Sequence, residues 1–98
     1  AETWFCTLKF QTNILDAPPE KFLFVREGDQ FVRQPKGDYG KTRILHETKD
    51  HIHLYTPQPW VDDAHAAFLV LDKKKKTLTR AAFSHTQVLT FKGSCETY

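Results

Sequence analysis

The chain has 98 residues, enough for one hydrophobic core and too few for two. Its 14 Lys and Arg against 12 Asp and Glu give a formal net charge of +2, which does not fit a protein whose main partner is nucleic acid. With 40% hydrophobic and 13% aromatic residues it can fill a core, and its longest uninterrupted apolar stretch, Ala66 to Leu71, falls far short of the roughly 20 residues of a membrane helix. No disordered tail and no membrane span is expected, and residues 1–98 read as one domain.

From the N-terminus, Thr3 to Phe10 alternate, with Trp4, Cys6, Leu8 and Phe10 on one face and Thr3, Phe5, Thr7 and Lys9 on the other. A period of two marks a half-buried strand, and it turns Cys6 toward the core. Phe22 to Arg26 and Gln30 to Arg33 flank Glu27-Gly28-Asp29, where Gly-Asp suits a tight II′ or I′ hairpin turn. The alternative for the first of these segments is a short helix near 18–27, with Asp16 as N-cap, prolines in the first turn and Gly28 as the stop. The aromatic and β-branched run Phe22-Leu23-Phe24-Val25 favours the strand. Gln34 to Gly40 holds Pro35, Gly37 and Gly40 and reads as loop.

Lys41 to Thr48 and His51 to Thr56 form a second hairpin around Lys49-Asp50. Pro57-Gln58-Pro59-Trp60-Val61-Asp62-Asp63 cannot continue a central strand, because its prolines lack ladder donors. Ala66 to Asp72 and Thr77 to Ser84 pair across Lys73-Lys74-Lys75-Lys76, and Gln87 to Thr97 completes the set, with Leu89, Phe91, Gly93 and Cys95 on its inner face. The fold class is therefore all-β: a small antiparallel meander of about 7–8 short strands, closed as a barrel or stacked as a sandwich.

The two cysteines, Cys6 and Cys95, lie near opposite ends of the chain and both face inward. Neither has a second Cys at zinc-ligand spacing, so the expectation is one disulfide joining first and last strands. A disulfide implies an oxidising compartment, periplasmic or extracellular. The Ala1-Glu2 start without Met agrees with removal of a signal peptide.

Three features carry functional expectations. If Lys49-Asp50 is the turn, His46 stands opposite His53, and His46, His51, His53 and Tyr55 share one face while Leu45, Ile52 and Leu54 take the other. Three imidazoles so placed offer a Zn or Cu site, against the plainer reading of a His-rich polar face. Trp60 and Gln58, on a proline-stiffened connection, offer a partner contact or a plug over one end of the sheet. Phe22, Phe24, Arg26, Phe31 and Arg33 share one face of the first hairpin, a mixture found at interfaces or inside a barrel with arginine stems laid over it. The four lysines read as a solvated turn. No phosphate loop, nucleophile elbow or His-Glu-x-x-His occurs. The expectation is a non-enzymatic binding module for a protein, such as an enzyme it inhibits, or for a small ligand, with histidine-based metal binding as the alternative.

Overall fold

The computed structural model describes residues 2–10, 19–34, 41–56, 64–84 and 88–97. Eight strands run β1 (Thr3–Phe10), β2 (Glu20–Glu27), β3 (Gln30–Gln34), β4 (Lys41–Glu47), β5 (His51–Thr56), β6 (Ala64–Asp72), β7 (Thr77–Ser84) and β8 (Val88–Thr97). Each pairs antiparallel with the next, and β8 pairs with β1, so the sheet closes as a barrel rather than a sandwich. Closure gives every strand two neighbours, although β3 and β4 pair only over Gln30–Val32 and Lys41–Arg43.

The helix considered near 18–27 does not form over its described part, residues 19–27, of which 20–27 belong to β2. Phe22 and Phe24 both turn inward and are buried. In a helix, residues two apart point roughly 200° away from each other, so one of these rings would be left in water.

Side-chain alternation fills one core from most of the strands. Trp4, Cys6 and Leu8 of β1 face Phe22 and Phe24 of β2, Phe31 of β3, Ile52 and Leu54 of β5, Ala67, Leu69 and Leu71 of β6, and Leu78 and Ala82 of β7 across one core. Large side chains fill this interior, as expected for an eight-stranded barrel of this length. Cys6 sits opposite Cys95 in the β1–β8 register, and the two are joined. The bridge therefore lies inside the barrel, across the seam where its last strand meets its first.

Gly93 shows how closely those strands approach. It pairs with Leu8, and a Cβ at this position would lie 1.7 Å from the Thr7 carbonyl oxygen. Only glycine fits there.

One rim of the barrel carries three tight connections. Gly28 takes φ 68° while Asp29 does not share its sign, the II′ pattern. In the 48–50 turn the Thr48 hydroxyl accepts from His51 N at 3.1 Å. In the lysine turn Asp72 Oδ1 accepts from Lys74 N and Lys75 N at 3.0 and 2.9 Å, and Lys76 adopts φ 56°. At the opposite rim the strands end at Phe10, Gln34, Thr56 and Ser84 and begin at Glu20, Lys41, Ala64 and Val88. Gln58 and Trp60 lie outside the described residues, as do both readings placed on them.

One expected position is corrected. Leu45 is not inside with Ile52 and Leu54 but is 56% exposed. The β4–β5 register shifts between Ile44 and His46, so a bulge adds one residue to β4 and reverses its parity. Ile44, opposite Leu54, packs against the core in its place.

Candidate functional site

The interior is apolar toward the turn rim, and toward the other rim charged and hydroxyl groups are set among Leu8, Phe22, Leu89 and Phe91. On that second half, Glu20 is the first residue of β2, Arg33 lies near the end of β3, and Arg80 is in mid β7. Parity places all three inside, and they meet. Arg80 Nη2 donates to Glu20 Oε2 at 2.9 Å and Arg80 Nη1 reaches Glu20 Oε1 at 3.5 Å, while Arg33 Nη2 donates to Oε1 of the same carboxylate. Each guanidinium also lies over a ring: Arg33 over Phe22 at 4.5 Å and Arg80 over Phe91 at 4.1 Å. Such stacking holds a planar cation against an apolar wall. Nearby in the interior, the hydroxyls of Thr42 and Thr56 pair at 2.9 Å.

Burial falls in a definite order. The side chains of Arg80, Arg33 and Glu20 are 2%, 15% and 28% exposed, so the cations lie deep and the anion lies nearest solvent. Burial alone would raise the Glu20 pKa, but the hydrogen bond from Arg80 and the charges of Arg80 and Arg33 outweigh it and hold the carboxyl below its ordinary range. The Arg80 pKa is lowered too, first by burial and then by the like charge of Arg33, with the hydrogen bond and charge of Glu20 opposing. A guanidinium starts so high that it stays protonated at neutral pH.

This cluster settles where the first-hairpin residues point. Phe31 is fully buried, Arg33 turns inward, and Arg26, opposite Phe31, closes the turn rim. Arg26 Nη1 donates to Glu2 at 3.0 Å and its Nη1 and Nη2 engage Glu47 at 3.0 and 2.8 Å, while Lys73 reaches Glu47 at 2.7 Å and Trp4 Nε1 reaches Glu2 at 2.7 Å. The shared face of that hairpin is thus barrel interior, with an ionic strap over one mouth. The hydrogen bond from Arg26, followed by that from Lys73, lowers Glu47 to about 2.

His46, His51 and His53 lie on the outside. His46 stands opposite His53 as the turn placement requires, with ring centroids 5.8 Å apart, and the His51 and His53 rings are 6.5 Å apart. The rings meet edge to face, and His51 Nε2 turns to Asp72 Oδ2 at 3.3 Å. Among the described residues no group of three His, Cys, Asp or Glu is placed to hold a metal ion. The alternation places these imidazoles together without converging their nitrogens.

Beside them is a feature the sequence reading passed over. Tyr55 and Phe68 are cross-strand partners with rings 5.1 Å apart, and Phe68 meets Phe83 edge to face at 6.1 Å. Phe68, Val70, Phe83 and Val88 are exposed, forming an apolar outer face across β5 to β8. The signal was present: in a barrel with one wet face, an apolar run such as Ala66 to Leu71 must leave alternate members outside. Two basic residues border the face, Arg43 opposite Tyr55 and Lys92 opposite Thr79.

The fold is that of an eight-stranded antiparallel meander barrel stapled at its seam by a disulfide. No protein-family model, no curated protein and no solved structure matches the chain.

Proposed function

We propose that this protein is a non-enzymatic binding module of an oxidising compartment, periplasmic or extracellular, and that it recognises a protein partner through the outer face of β5 to β8. The observation that carries the reading is the connected row of outer rings, half-buried Tyr55 with exposed Phe68 and Phe83, extended by exposed Val70 and Val88. Exposed apolar residues that touch one another mark contact surfaces, whereas singly scattered ones do not. Aromatic rings supply large contact area at low entropic cost. The basic border of Arg43 and Lys92 fits a partner whose apolar epitope is edged by Asp and Glu. The disulfide supports the compartment, and it also occupies the Cys6 sulfur, which removes the thiol nucleophile from consideration.

The test places a photo-reactive phenylalanine analogue at position 68, and separately at position 7 on the outer side of β1, in protein exposed to its native secreted or periplasmic milieu. One predominant adduct from position 68, lost on Phe83→Asp and missing from position 7, is the expected result. Equal labelling from both positions, or persistence of the adduct in Phe83→Asp, overturns it.

A further inference from the structure

The geometry points to a second binding site inside the barrel: the paired guanidiniums of Arg33 and Arg80 form a socket for the carboxylate of a small apolar acid, and Glu20 occupies that socket as an internal stand-in. The inference is independent of the outer face. It rests on three observations. First, both arginines converge on one carboxylate, reaching the same Oε1 from different strands. Two guanidiniums on one planar anion is a recognition geometry for carboxylates, set by the fixed fork of Arg donors.

Second, each cation has a hold that does not depend on Glu20. Phe22 underlies Arg33 and Phe91 underlies Arg80. Arg80 is only 2% exposed, whereas Glu20 opens the strand at the rim and is the most exposed of the three. If the carboxylate swings out, it regains water and the guanidiniums stay where they are. Exchange of one carboxylate for another leaves the charge of the interior unchanged, so no large electrostatic cost opposes it.

Third, the socket has apolar walls. Leu8 pairs with Glu20 across the β1–β2 ladder, and Phe22, Phe91 and Leu89 line the same half of the interior. A short alkyl or aromatic body attached to the entering carboxylate would take the path to the rim that the Glu20 side chain vacates, and would lie against these walls where the Glu20 side chain makes less apolar contact. A buried ionic cluster adds little to stability relative to apolar packing of the same volume, so stability alone does not account for this one.

The experiment is calorimetric titration of octanoate, with octanol as the uncharged control, into the wild-type chain, Glu20→Gln and Glu20→Gln/Arg33→Gln at neutral pH. Saturable one-to-one binding of octanoate to wild type, at least tenfold tighter binding to Glu20→Gln and its loss in the double variant are expected, with octanol inert throughout. Binding confined to Glu20→Gln overturns the proposal, because Glu20 is then a permanent occupant. Equal binding of octanol, or no gain on removing the Glu20 charge, also overturns it. Should the variants not fold, the wild type alone decides: octanoate must raise its Tm where octanol at the same concentration does not, and equal shifts refute the carboxylate socket.

Discussion

Reducing the Cys6–Cys95 bridge is the perturbation whose magnitude follows most directly from the topology. The two residues are 89 apart in sequence, so the bridge closes nearly the whole chain into one loop. Loop-closure entropy for that length corresponds to about 4.6 kcal/mol at 25 °C in the chain-entropy account. Unfolding entropy near 2.1 cal/mol/K per residue gives roughly 0.2 kcal/mol/K for 98 residues, so Tm should fall by about 20 °C on reduction. The effect belongs to the unfolded chain. The β1–β8 ladder, which runs from Trp4–Thr97 to Phe10–Phe91, should persist in the reduced folded protein. Urea titrations with and without a phosphine reductant, followed by far-UV circular dichroism, measure both aspects. The midpoint should drop, and the m-value should rise because the reduced unfolded chain exposes more surface. A loss below about 1 kcal/mol with an unchanged m-value would refute the argument.

Four further outcomes follow. Gly93→Ala should cost about 3 kcal/mol, because the added methyl meets the Thr7 backbone; a Tm within a degree or two of wild type contradicts the close approach. Lys76→Gly should stabilise by about 0.5–1 kcal/mol, since glycine accepts the positive φ without strain, and thermal melts read this directly. Glu47 has its folded pKa lowered from 4.5 to about 2, so its contribution is complete above pH 4.5 and disappears as pH falls toward 2. After screening, this amounts to about 1 kcal/mol, and wild type should lose it on acidification while Glu47→Gln does not; parallel pH profiles would disprove the strap. Phe68→Asp should leave stability within about 0.5 kcal/mol of wild type, whereas a loss of several kcal/mol would mean that the ring supports the fold.

The barrel was readable because strands with one wet face alternate, and the alternation held in the first and last strands, Trp4 to Leu8 and Leu89 to Cys95. Inward placement of both cysteines followed from the same period. Leu45 was misplaced because a bulge leaves no mark in a sequence: one added residue in β4 reverses parity with no change in composition. The Glu20–Arg33–Arg80 cluster was hidden for a different reason. Its members come from β2, β3 and β7, and only closure of the sheet brings β7 across the interior to face β2. Arg80 lies between Thr79 and Ala81 on a strand whose inner face is otherwise Leu78 and Ala82, so a lone charge there reads as a surface residue until the opposite wall is known. The outer ring row was legible in principle, since Phe68 and Val70 fall on the opposite parity from Leu69 and Leu71, but a fully apolar run conceals which members are wet.

Pairing of the first strand with the last makes the backbone a ring with a single cut. Trp4 stands beside Thr97, so a short linker could join the two ends and a new opening at Gly28-Asp29 should yield the same barrel as a circular permutant. The same adjacency governs attachment. Any polypeptide fused before Glu2 and any fused after Thr97 would emerge side by side from the rim of the lysine turn, leaving the rim near Glu20 and the ring row of β5 to β8 clear of both. Tethering from either end, to a surface or to another domain, would therefore present the same side of the barrel outward.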